Sequence, residues 1–226
     1  MSNVHVPEEI LASVRRDLRP VRPFASPGRR ALALLPLGLA LLVAVPAFWG
    51  WRENLTVLGT MGAWGLSALQ TLAGLLVVGA ALREAIPGRE LSARAILGTA
   101  GAALALFVGL TLVTNHVVPF VIPPRVFRRW IWECYWIAAL SGLPPLAAIA
   151  WLASRALPNR PAVAGFLYGL GAGLMADAGI RLFCRVSTPS HVLLAHGGAI
   201  LSLGLAGALV AMLVERVRAG RSQGIG

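Results

Sequence analysis

Six apolar stretches, at residues 31–51, 57–82, 93–113, 130–153, 162–182 and 192–214, take up most of this chain and are separated by short polar breaks. A helix of about 20 residues crosses a hydrocarbon core roughly 30 Å thick, and each stretch meets or exceeds that length. Composition agrees: 57% of the residues are hydrophobic and only 13% charged, too apolar for the core of a soluble domain this size to hide. In lipid, backbone N–H and C=O groups must be paired within the segment, and these runs lack the alternation of a barrel strand. The predicted fold class is therefore all-α, a polytopic membrane bundle of about six transmembrane helices. The breaks carry turn residues, among them Arg52-Glu53-Asn54, Pro87-Gly88-Arg89, Pro158-Asn159-Arg160 and Ser187-Thr188-Pro189.

All twenty strongly basic residues are arginines, and they are unevenly placed. With the amino terminus in the cytoplasm, fourteen fall on the inner side, and only Arg52, Arg125, Arg128, Arg129, Arg181 and Arg185 fall outside. Arginine-rich loops stay inside. This bias predicts a multi-pass protein of a bacterial-type inner membrane with both termini cytoplasmic. Residues 1–30 then form a cytoplasmic amino-terminal segment, 31–214 the transmembrane domain and 215–226 a cytoplasmic tail. The net charge of +11 does not argue for nucleic acid, because the arginines flank helices instead of making one basic face with aromatic platforms. Lipid headgroups are their expected contacts. Arg29-Arg30 ahead of a stretch ending Ala44-Val45-Pro46-Ala47 has the outline of a cleaved signal peptide. The long polar lead and the continuing apolar run favour a retained first span.

Within the amino-terminal segment, Pro7 to Leu18 has the pattern of a short helix. Pro7 and Glu8 suit a first turn, and Ile10, Leu11, Val14 and Leu18 form one apolar stripe. Such a helix lies in the membrane surface or docks into a protein groove, and the residues alone do not choose between these. Pro20, Pro23 and Pro27 then predict an extended connector. In the fifth span, Gly165, Gly169 and Gly173 recur every fourth residue, as in closely packed membrane helices, and Asp177 and Arg181 are spaced to neutralise each other.

On this topology every cysteine, and every histidine except His5, maps to the outer face. Cys134 opens the fourth span, Cys184 closes the fifth, His191 and His196 open the sixth, and His116 closes the third. Three readings compete for the cysteines: a disulfide formed in an oxidising compartment, a soft-metal site with His191 or His196, and plain packing. The spacing of five between His191 and His196 counts against the metal, because ligands on one face of an α-helix stand four apart. No phosphate loop, metalloprotease motif or nucleophile elbow is present, so neither an enzyme nor a cofactor is expected. A small transporter or channel subunit is the rival, and Gln70 and Thr111 are among the few polar residues available to line a path.

The stretch Glu9-Ile10-Leu11 through Asp17-Leu18-Arg19-Pro20-Val21-Arg22-Pro23-Phe24, with Pro27 and Arg30, resembles the amino-terminal signature of the NrsF family of bacterial membrane anti-sigma factors. Leu157-Pro158-Asn159-Arg160-Pro161, Ala164-Gly165, Gly169-Leu170, Phe183-Cys184 and Pro189 are similar to the same family's carboxy-terminal half. The resemblance implies a regulator of transcription that sequesters an extracytoplasmic-function sigma factor and releases it on a stress signal. It implies sigma-factor binding by Ile10, Leu11, Val14, Leu18 and Arg22 together with the inner loops. It also implies periplasmic-side sensing around Cys134 and Cys184, with His191 and His196 beside them. The oligomeric state is left open.

The arginine split yields a direct test. Reporter fusions at Ser26, Asn159 and Ser222 are expected to read as cytoplasmic, and those at Asn54 and Thr188 as external. A cytoplasmic signal at Thr188 would invert the whole arrangement of the cysteines.

Overall fold

The computed structural model describes residues 7–17, 25–86, 88–120, 122–154 and 158–223. Among these there is no strand, and six helical spans are long and apolar enough to cross a membrane: Pro27–Trp49, Thr60–Glu84, Ala93–Val117, Pro124–Ala153, Pro161–Phe183 and Pro189–Gly220. The architecture is the expected all-α one, compatible with a multi-pass membrane protein. Ahead of the spans lies α1 (Glu8–Asp17), and the first span is α2 (Pro27–Leu32) followed by α3 (Leu35–Trp49). Next come α4 (Leu55–Leu58), α5 (Thr60–Glu84), α6 (Ala93–Val117), α7 (Pro124–Ala153) and α8 (Pro161–Phe183). The last span is assembled from α9 (Pro189–His191), a π-helical turn (Val192–Gly197) and α10 (Gly198–Gln223).

Proline sets most of these starts. Pro27, Pro124, Pro161 and Pro189 stand in the first turn of α2, α7, α8 and α9, where a missing N–H costs nothing and the fixed φ already suits a helix. Pro27 therefore opens a helix instead of extending a connector, with the Ser26 hydroxyl accepting from the Arg29 N–H at 3.4 Å. Pro20 and Pro23 lie outside the described residues. Pro36 separates α2 from α3, because its ring cannot continue the hydrogen-bond ladder back to Leu32. The fourth span begins six residues before its apolar run: Arg125, Arg128 and Arg129 are already helical, and Arg129 pairs with Glu133 at 2.6 Å. Hydropathy marks where a helix becomes apolar, while proline marks where its backbone pairing starts.

α8 is the axle of the bundle. In its most apolar window 83% of the residues are buried, against 22% for α6 and for α7, and it packs on α3, α5, α7 and α10. Small residues make that possible. A Cβ on Gly169 would stand 1.9 Å from the Leu203 carbonyl oxygen, one on Gly165 2.3 Å from the Gly207 oxygen, and one on Gly173 2.9 Å from Ile200 Cα. The fourfold-spaced glycines thus face α10 backbone to backbone. Without a hydrophobic driving force between helices in lipid, such close approach is what holds two of them together.

At the end of the bundle where α5 finishes and α8 begins, the buried carboxylate of Glu84 accepts from the Leu91 N–H at 2.7 Å and from Arg160 Nε at 2.6 Å. Arg160 also donates to the Leu91 carbonyl at 2.6 Å, and Asn159 donates to Glu90. The loop after α5 is thereby fastened to the start of α8.

Gly169→Ala is expected to destabilise the protein by about 1–3 kcal/mol or more through overpacking. Gly109→Ala on α6, where a Cβ would meet nothing within 4 Å, is expected to be neutral. Thermal unfolding of the two variants in detergent is the measurement, and equal melting would refute the backbone contact.

Candidate functional site

The opposite end of α8 gathers polar residues from five of the six spans. Cys134 lies in the third turn of α7, and Cys184 caps α8, its N–H donating to the Ile180 carbonyl at 2.7 Å before the chain turns extended. His191 ends α9 and His196 sits in the π-helical turn that follows. All four side chains are buried, and one ligating atom from each lies within 4.8 Å of the other three. The sulfurs of Cys134 and Cys184 are free thiols 3.6 Å apart, and His191 Nε2 is 3.6 Å from Cys184 Sγ. The two imidazoles meet edge to face with centroids 5.6 Å apart.

The π-helical turn explains how histidines five apart converge. In an α-helix, five residues turn through about 140° beyond one full revolution, so the pair would diverge. The i→i+5 pairing of a π-turn widens the coil and returns both side chains to one side. The spacing that counted against the two histidines acting together is correct for an α-helix, but the local helix is of another kind.

Beneath the thiols is a second layer, of which sequence spacing reveals only the Asp177 and Arg181 pair. Asp177 on α8 is fully buried, and its Oδ1 lies 2.5 Å from His196 Nδ1. Its Oδ2 accepts from Gln70 Nε2 of α5 at 2.5 Å and pairs with Arg181 Nε at 3.4 Å. Arg181 donates to the Gln70 side-chain oxygen, to the Phe107 carbonyl at 3.3 Å and to Thr111 Oγ1 at 3.2 Å, with its guanidinium 5.5 Å from the centroid of the Phe107 ring. The expected Asp177 and Arg181 pair is therefore present, though embedded in a network spanning α5, α6, α8 and the π-turn. Gln70 and Thr111 are spent within that network. The signal for it was the acidic residue itself, since a carboxylate placed within a membrane span requires partners.

Other groups complete the setting. Arg52 is buried where the chain passes from α3 to α4, its N–H donating to the Leu182 carbonyl at 3.0 Å and its Nε to the Asn54 side chain. Burial lowers the pKa of its guanidinium, and the neighbouring Cys184 partly restores it. A cleft of about 370 Å³, lined by Trp49, Trp51, Trp130, Cys134 and Cys184 among others, runs to the sulfurs. His116 is exposed and stands outside the cluster. Ile10, Leu11 and Val14 are exposed on α1, while Leu18 and Arg22 lie outside the described residues.

Removing either member of a buried ion pair leaves the other charge uncompensated. Asp177→Ala and Arg181→Ala are each expected to cost on the order of 3–5 kcal/mol, and the double variant less than the sum. Unfolding midpoints of the four proteins in one detergent measure this, and strictly additive losses would show that the two side chains do not act as a unit.

A family model described as NrsF, negative regulator of sigma F, matches residues 15–216. No curated protein and no solved structure matches the chain.

Proposed function

The chain belongs to the NrsF family, and on that premise we propose that it holds a sigma factor at a bacterial inner membrane and releases it when a signal reaches the Cys134 and Cys184 end. The match across residues 15–216 carries this reading, and it makes the chain a negative regulator of a sigma factor. Three further observations support the finer statement. The arginine bias assigns the end with Glu84 and Arg160 to the cytoplasm and the thiol end to the outside. α1 presents Ile10, Leu11 and Val14 exposed along one side, the form of an amphipathic helix that docks into a protein groove. Finally, the buried thiols lie at the far end of α8 from the Glu84 clamp, so signal and cargo occupy different ends of one helix.

Release requires differential affinity. A signal frees the sigma factor only if it favours the conformation that binds the sigma factor less well. On this reading the amino-terminal segment, with Leu18 and Arg22 completing the surface, is the capture element, and the inner loops stabilise it. The stress response then follows from occupancy or chemistry at the thiol end.

Each aliphatic anchor buried in a groove contributes roughly 1.5–3 kcal/mol. Changing Leu11, Val14 and Leu18 together to Ser is expected to move a co-expressed sigma factor from the membrane to the soluble fraction, while the variant still inserts. Undiminished membrane capture would place the binding surface on the inner loops instead.

A further inference from the structure

We propose that Cys134, Cys184, His191 and His196 form a binding site for a borderline-soft divalent metal ion of the Zn²⁺ class, with Asp177 orienting His196 as a ligand. The regulatory consequence rests on the signal-input reading above; binding of the ion does not.

The donor set is the first argument. Two thiolates and two imidazoles are the ligands such an ion selects, and they are supplied here from three different helical spans within 4.8 Å of one another. Tetrahedral bonds of about 2.0–2.3 Å place ligand atoms roughly 3.3–3.8 Å apart. The contact between the two sulfurs and that between Cys184 Sγ and His191 Nε2, both 3.6 Å, already have that length. Each remaining edge ends on a histidine nitrogen, and with all four atoms within 4.8 Å of one another it must contract by about 1.5 Å at most.

The second argument comes from His196. Its Nδ1 is committed to Asp177 at 2.5 Å, while its Nε2 is buried and has no hydrogen-bond partner among the described residues. A carboxylate on one imidazole nitrogen fixes the tautomer that leaves the other with a free lone pair, which is how metal-ligating histidines are held. Gln70 and Arg181 in turn fix the carboxylate. An orphaned buried nitrogen is costly, and an ion satisfies it.

Charge balance is the third. On binding, each thiol gives up its proton to water, so the divalent ion and two thiolates sum to zero, and Asp177 already balances Arg181. The buried site gains no net charge. A disulfide would instead use the two sulfurs alone, leaving the convergence of His191 and His196 without a purpose. The cleft between Trp49 and Trp130 supplies the entry path.

The test uses the full chain, reduced, in detergent, with Co²⁺ as the spectroscopic probe. One equivalent is expected to produce thiolate charge-transfer and tetrahedral ligand-field bands that Zn²⁺ abolishes by displacement. Cys134→Ser and Cys184→Ser should each lose the charge-transfer intensity of one sulfur, and Asp177→Asn should weaken affinity about 10–100-fold while retaining the bands. In the unaltered protein, Zn²⁺ should protect both thiols from alkylation, a readout that does not depend on any variant folding. Absence of the bands and of protection in the unaltered protein, or bands that survive the double Cys→Ser variant, would overturn the site. A sigma-dependent reporter in cells separates the two readings. Metal binding with a reporter indifferent to Cys134→Ser and Cys184→Ser supports the site and overturns the signal input. A reporter that responds to those variants, with no metal bound, retains the signal input and overturns the site.

Discussion

A carboxylate with no water to solvate it must be surrounded by donors, and Asp177 dictates much of what stands around it. Its two oxygens are taken by His196, Gln70 and Arg181, and Arg181 reaches on to the Phe107 carbonyl and Thr111. One buried charge thereby ties α5, α6 and the π-helical turn to α8. α6 gains most from this, because it is otherwise among the least buried of the spans. In a bilayer, where apolar contact between helices is worth little more than contact with lipid, polar knots of this kind carry a large part of the specificity of assembly.

The same helix organises both ends. At one, Arg160 secures the buried carboxylate of Glu84; at the other, Cys184 caps α8 and touches Cys134 of α7. Between them the glycine face of α8 lies on the α10 backbone, Gly165 against the Gly207 carbonyl and Gly169 against that of Leu203.

Much of this was legible in the sequence. The length and apolarity of the runs identify all six spans, and the fourfold glycine spacing identifies the packed face of α8. The clustering of Cys134, Cys184, His191 and His196 at one face follows from counting along alternating helices. Hydropathy starts the first and fourth spans at residues 31 and 130 and overlooks the helix starts at Pro27 and Pro124, where proline acts as an initiator. Asn159-Arg160 has the pattern of a loop and a topology signal, since nothing local announces that Glu84, far away in sequence, is buried beneath it. The link between Asp177 and His196 was hidden for the same reason, and the convergence of the two histidines because i→i+5 pairing leaves no mark in a hydropathy pattern.

The π-helical turn has a consequence beyond the side chains it carries. It absorbs one residue more than a regular turn, so the helical segments on either side keep nearly the phase of an uninterrupted α-helix. Deleting a single residue between His191 and His196 would let the helix run on as plain α, with α10 close to its present rotation. Gly204 and Gly207, which meet Phe166 and Gly165, would stay on the contact face. A deletion further along α10, with no wide turn to relax, would instead rotate everything after it by about 100°, so this span tolerates the loss of a residue at its π-turn more readily than along the rest of its length.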